Sequence, residues 1–273
     1  MSKNDMTLKE KCKSQQAACD YKLSSTDYVI VHVDGRGFSK MIKNRFTKPF
    51  DNDFINMMNE TAVYLCENIE GAKLAYVQSD EISLFISKDK PESEIFFGGR
   101  LCKMQSIIAS LATAKFNQLL TAYELEKVGY ENVESAVDAL KKMKLIQFDC
   151  KVWNVPNGND AFAWFLFRNI DCIRNSKQQT AQTWCSHKEL MGLNTDEQVE
   201  ALKEKHGINW EDFSDGEKYG RIVSREDEDH TVTLSTGEEV SFTRSKFTVH
   251  NGINMTDIES RNKFLDENPY FEK

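Results

Sequence analysis

No stretch of this 273-residue chain approaches the eighteen or so consecutive apolar residues that a membrane-crossing helix requires. The sequence therefore predicts no membrane helix. Its first twenty residues, MSKNDMTLKEKCKSQQAACD, are polar, so no secretory signal is expected and a cytoplasmic location is. Paired cysteine is missing too. The seven cysteines, at 12, 19, 66, 102, 150, 172 and 185, form no Cys-x-x-Cys pair, which argues against a disulfide framework and a zinc site and for reduced thiols that fill space. Positive charge is also short: 35 Lys and Arg stand against 43 Asp and Glu, a net charge of -8. The whole-molecule field thus repels polyanions, and any nucleic-acid partner must be met by local basic patches. No internal repeat or low-complexity segment interrupts the chain.

What is present reads as an α+β fold in a recognisable order. DYVIVHV is a buried strand that runs into Asp34 and the turn Gly35-Arg36-Gly37. DNDFINMMNETAVYLCENI then places Phe54, Met57, Met58, Ala62 and Leu65 at helical spacing. GAKLAYVQSDEISLFISKD reads as a hairpin whose polar tip is Gln78-Ser79-Asp80-Glu81. A long helix follows from Gly98 to Lys127, with Leu101, Met104, Ile107, Ile108, Leu111 and Ala114 on one stripe. LIQFDCKVWNVP is strand-like and stops at Pro-Asn-Gly. From Asp160 a mostly buried helix is expected, then a helix capped by Thr195 and ended by Gly207. The charged, alternating segment from about Tyr219 fits a β-hairpin arm.

Two acidic points stand where apolar strands stop: Asp34, and Asp80 with Glu81. Adjacent strands of one sheet would bring them together, and converging carboxylates repel unless a cation lies between them. Hard oxygen donors with few protein contacts suit Mg²⁺, and a second ion about 4 Å away can clamp both oxygens of a phosphoryl transfer. Gly35 would let its carbonyl approach such an ion with no Cβ in the way. Cations for phosphates are on hand: Arg36 in the glycine turn, Lys48 before a helix, and Arg100 with Lys103 one turn apart at a helix start. Taken singly, each of these residues also fits plain turn chemistry or a solvated surface.

The blocks HVDGRGFSK, FTKPFD, YVQSDEISLFI, GRLCKMQSIIAS, FDCKV and RNIDCIRNS resemble, in order, the motifs of the tRNA-His guanylyltransferase superfamily, the 3′-to-5′ nucleotide polymerases. The likeness covers roughly residues 28 to 215. It implies a polymerase-palm-like sheet flanked by helices over residues 1–158, with a C-terminal helical and β-hairpin part over 159–273 packed against it. It implies two Mg²⁺ held by Asp34, Asp80 and the Gly35 carbonyl, with Glu81 shaping the site. Nucleotide contacts are implied at Arg36, Gly37, Phe38, Lys48, Ser79, Arg100, Lys103 and Asn175. The implied reaction activates the 5′-phosphate of a tRNA with ATP or GTP, giving a 5′-5′ linked intermediate that the 3′-hydroxyl of an incoming nucleotide attacks. The implied partners are nucleoside triphosphates and a tRNA or other RNA with a recessed 5′ end, and the implied assembly is a homotetramer.

The chain departs from the motifs in places. Ile173-Arg174-Asn175-Ser176 replaces the His-Ile-Asn-Asn of the guanylyltransferases proper and resembles the branch associated with templated repair of 5′-truncated tRNAs. Lys151 replaces an Arg, keeping charge but losing the bidentate fork, and Ser39 replaces a frequent His. Elsewhere His32 is expected as a neutral core histidine, and Phe162, Trp164, Phe165 and Phe167 as core rather than base-stacking residues. Lys141, Lys142 and Lys144 are expected on a solvated loop, and Arg244 and Lys246 on a hairpin facing RNA or a neighbouring subunit. The rival readings are a palm-type cyclase or phosphohydrolase acting on free nucleotides, and a catalytically inactive RNA-binding protein.

Overall fold

The computed structural model describes residues 6–25, 28–88, 90, 92–128, 133–233, 235–237 and 239–271. In chain order its elements are α1 (Leu8–Ala17), β1 (Tyr28–Arg36), α2 (Phe38–Arg45), α3 (Asn52–Asn68), β2 (Ala72–Gln78), β3 (Glu81–Ile86), α4 (Leu101–Val128), α5 (Val133–Lys142), β4 (Gln147–Val155) and α6 (Gly158–Trp184). There follow α7 (His187–Leu190), α8 (Thr195–His206), α9 (Asp215–Tyr219), β5 (Arg221–Thr233), β6 (Glu239–Asn251) and α10 (Ile258–Glu267). The strands make a six-stranded antiparallel sheet in the order β4-β1-β3-β2-β5-β6, confirming the α+β class.

Side chains alternate across a strand, so β1 splits its residues between two cores. Val29, Val31 and Val33 join Ile82, Leu84 and Val77 against α3 and α4, where Met58, Leu65, Met104, Ile108 and Phe116 are buried. Ile30 faces the other way, with Phe85, Leu74 and Tyr76, beneath α6 and the C-terminal Phe264 and Phe271. This second face turns polar toward one end of the sheet, where His32, Asp34, Glu81 and Ser83 replace the apolar residues. The first four residues of β5 pair with Leu74–Val77 of β2, so the charged hairpin continues the central sheet and projects from its edge.

Several local expectations shift. The glycine turn leads into α2, which the sequence reading passes over, because Gly37 takes a left-handed φ of 74° that turns β1 directly into a helix. The cap of α8 is Asn194: its side chain accepts from the Asp196 and Glu197 amides, and Glu197 returns the bond, which makes Thr195 the first helical residue. On α4 the buried row is Met104, Ile108, Ala112, Phe116 and Leu120, and Ala114 is exposed. Lys141 and Lys142 end α5 instead of lying in a loop, with Lys144 just beyond it.

Candidate active site

The β2–β3 hairpin closes in two residues, Ser79 and Asp80, and Ser79 adopts a left-handed φ of 44°. This tight reversal sets Asp80 at the sheet end beside β1, where the Gly35 amide donates to the Asp80 carbonyl at 3.1 Å. In register, Asp34 lies opposite Glu81 on one side and Asp149 of β4 on the other. Four acids from four strand ends or turns are thereby gathered along one edge of one sheet face. Asp149 escaped the sequence reading, although it stands in the quoted FDCKV block. A Cβ on Gly35 would fall 2.3 Å from the Phe38 ring, so glycine is required there for packing whatever its carbonyl meets.

The electrostatics separate the acids. Burial pushes the Asp80 carboxyl up to about 6; the Ser79 hydroxyl, donating to it at 3.0 Å, opposes this, and the charges of Asp34 and Glu81 add to it. The Asp34 carboxyl is also raised, by burial first and then by Glu81. Among the described residues neither Asp34 nor Asp80 is in an ion pair. Glu81 is differently placed: Gln78 donates to it at 2.8 Å, and the buried guanidinium of Arg168 pairs with the same oxygen. Arg168 also pairs with Asp171 at 3.1 Å, and sequence reasoning missed it; its only signal was a lone Arg inside an apolar helical run. Its clamp holds Glu81 toward α6, whereas Asp34, Asp80 and Asp149 are in no ion pair among the described residues. Among the described residues no group of three or more His, Cys, Asp or Glu side chains encloses a metal position. A cation held here would keep most of its coordination sites for water, backbone and phosphate oxygens.

A small cleft opens beside the hairpin. Ile42, Pro49, Phe50 and Phe54 give it an apolar wall, and Gln78, Ser79, Asn175 and Arg221 give it polar edges. Gln179 of α6 donates to the Pro49 carbonyl and ties the wall to the helix. Two predicted nucleotide residues, Ser79 and Asn175, therefore share one cavity; Lys48 is exposed and precedes Pro49 in the chain but does not line it. Arg36 and Gly37 are exposed at the end of β1. Phe38 is buried against Phe54, Phe116 and Phe148, so only its backbone is left to meet a ligand. Arg100 and Lys103 stand apart at the start of α4: Arg100 bridges to Lys22 and borders a second cleft with Asp20, and the Lys103 ammonium lies 4.3 Å from the Phe97 ring centroid. His32 is buried beside Ser83 and Trp164, and burial lowers it to about 4, which makes it a neutral core histidine.

Comparison with known proteins places this fold beside tRNA(His) guanylyltransferase-like structures. A bacterial tRNA(His) guanylyltransferase-like protein in complex with ATP is 29% identical, covering 93% of this chain and 96% of that one, with a TM-score of 0.75. A second structure of such a bacterial protein, in complex with GTP, is 27% identical over 95% of this chain and 97% of that one, with a TM-score of 0.71. The tRNA(His) guanylyltransferase of Schizosaccharomyces pombe is 28% identical over 217 residues, 75% of this chain and 76% of its own length. The family model described as tRNAHis guanylyltransferase matches residues 9–156, more than half of the sequence, and the chain accordingly belongs to that family of nucleotidyltransferases.

Proposed function

We propose that this chain is a Mg²⁺-dependent 3′-to-5′ nucleotidyltransferase that rebuilds the recessed 5′ end of a tRNA or tRNA-like RNA, reading the opposite strand as template. The observation that carries the reading is the meeting of Asp34 and Asp80, both raised and both without a cationic partner among the described residues, next to a cleft with an apolar wall. Relatives solved in complex with ATP and with GTP support a triphosphate as substrate. The Ile173-Arg174-Asn175-Ser176 stretch supports templated repair over a single fixed addition.

Asp34 and Asp80 would hold the magnesium, which when bound neutralises phosphate charge and stabilises the oxygens that attack and leave. The chain's own part is positioning. Arg168 keeps Glu81 drawn toward α6, the wall of Ile42, Pro49, Phe50 and Phe54 takes a base, Ser79 and Asn175 stand at the edge where phosphates and ribose would lie, and Lys48 is exposed next to Pro49 in the chain. Arg100 and Lys103 would serve a second triphosphate. In the first displacement an oxygen of the RNA 5′-phosphate bonds to the α-phosphorus of ATP or GTP and pyrophosphate leaves. In the second the 3′-hydroxyl of the incoming nucleotide, losing its proton, bonds to the same RNA phosphorus and the activating nucleoside monophosphate leaves. A homotetrameric assembly is proposed on the family resemblance, and light scattering on the purified protein tests it.

The deciding assay supplies labelled, 5′-phosphorylated, 5′-truncated tRNA with ATP, all four triphosphates and Mg²⁺. The expected product is RNA lengthened to complement the 3′ strand, absent with Asp80→Ala. Product formed from nucleotides without RNA would move the chain to the cyclase or phosphohydrolase reading, and added bases that ignore the opposite strand would remove the templated half of the proposal.

A further inference from the structure

Of the four aromatics expected in the core of α6, Phe165 is fully buried and Phe162 and Trp164 are half-buried, but Phe167 is 51% exposed. Ile170, almost one turn on, is 49% exposed. Phe167 ends a file of rings. Trp153 of β4 meets Trp164 with centroids 4.7 Å apart, and Trp164 meets Phe167 at 5.7 Å. At the inner end Trp164 lies 5.3 Å from His32, two residues before Asp34 on the same face of β1. At the outer end the Arg168 guanidinium lies 5.2 Å from the Phe167 ring centroid and pairs with Glu81, which is opposite Asp34 in register. The exposed ring is thus one side chain away from the carboxylate cluster.

Cations flank it. Lys151 is exposed, in register with His32 and two residues from Asp149, and among the described residues it is in no ion pair. Arg174 follows on the same helix with its side chain 57% exposed, pairing with Asp171. A single exposed aromatic is ordinary on a protein surface. One that borders the carboxylate cluster, with two arginines on its own helix and an exposed lysine on β4, has the composition that holds unpaired bases, a π face for the ring and positive charge for the backbone. The apolar area is only two side chains wide and is ringed by charge, which suits a nucleobase better than a protein partner.

We propose that Phe167 is the stacking platform for the terminal nucleobase at the RNA 5′ end, with Ile170 against the edge of that base and Lys151 toward its phosphate. The assignment rests on the nucleotidyltransferase reading above and adds where the acceptor end is held.

A tRNA acceptor-stem RNA with a recessed 5′ end and 2-aminopurine as its 5′-terminal base reports stacking directly. Binding by the unaltered protein should quench the fluorophore. Phe167→Ala should abolish the quenching and weaken RNA binding by on the order of 10- to 100-fold. Phe167→Tyr should retain both, whereas Phe167→Leu, which keeps apolar area without a π face, should behave like Ala. The Kd for ATP measured without RNA should stay unchanged. The proposal is overturned if Phe167→Ala leaves quenching and RNA affinity intact, if it weakens ATP instead, which would give the ring to a free nucleotide, or if it changes the mass of the assembly, which would give this face to a second copy. Quenching needs no turnover, so a protein that quenches but extends no RNA sinks the reaction and spares the platform, and the reverse pattern does the opposite.

Discussion

Asp80 and Asp34 are costly residues to keep ionised, and that cost has a sign that can be measured. The Asp80 carboxyl is held up to about 6, from an ordinary value near 3.8, by burial and then by its acidic neighbours. Between those two values the folded protein binds more protons than the unfolded chain, so stability falls as pH rises across that window and then levels off. Asp80→Asn removes the charge. In EDTA its melting temperature should exceed that of the parent at pH 8 by roughly 2–4 °C, with the difference vanishing near pH 4. The same variant should lose turnover, and thermal melts across pH with a parallel extension assay check both. A lower melting point at pH 8 would mean that burial and the neighbouring acids do not penalise the ionised Asp80. The acids were readable in the sequence because each interrupts an apolar strand, a contrast that exists along the chain. Arg168 was not, because its partner Glu81 lies 87 positions away and only the fold brings them together.

Helix α6 is the element that fixes the site, since it carries the Glu81 clamp, the edge of the cleft and a buried clasp to the C-terminal segment. Asn169 is fully buried; its amide donates to the carbonyls of Tyr219 and Ile253, each at 3.0 Å, and its carbonyl oxygen accepts from the Met255 amide at 2.9 Å. The Tyr76 hydroxyl of β2 donates to the same Tyr219 carbonyl at 2.7 Å. Asn169→Ala would orphan two backbone groups at once, the Ile253 carbonyl and the Met255 amide, and take one of two donors from the Tyr219 carbonyl, and should destabilise by about 2–4 kcal/mol in urea unfolding. A change below about 0.5 kcal/mol would mean that water or neighbours replace the clasp without loss. Strands β1 to β4 were legible as apolar runs, and the hairpin tip as polar residues between β2 and β3. The missed features have local physical causes. Helix α2 is only eight residues long and follows a glycine that reads equally well as a turn. A fixed stripe fails on α4 because each step of four residues advances about 40° around the axis, so over 28 residues the buried face rotates from the predicted side. The union of β5 with β2 joins segments nearly 150 residues apart, and no periodicity encodes such a pairing.

For the molecule as a whole the puzzle is charge. A chain of net -8 whose reacting edge gathers Asp34, Asp80, Glu81 and Asp149 must hold a polyanion with few cations. Exposed positive groups near that edge are sparse, chiefly Arg36, Lys48 and Lys151, with Arg174 partly neutralised by Asp171. If about three to five phosphates are met by such groups, the slope of log affinity against log salt should lie near -2 to -4. Anisotropy titrations of a labelled tRNA, at fixed Mg²⁺ and between about 50 and 200 mM salt, measure that slope. A slope steeper than about -7 would require many more phosphate contacts than these groups supply, and one near zero would assign the RNA to stacking and hydrogen bonds alone. The expected middle value has a functional logic. Long-range repulsion from an acidic body would limit indiscriminate binding to nucleic acid, while a few cations and the proposed Phe167 platform would act only on an end that reaches them. On the proposed reaction, extended product would then leave readily, because little of the RNA would be held by charge.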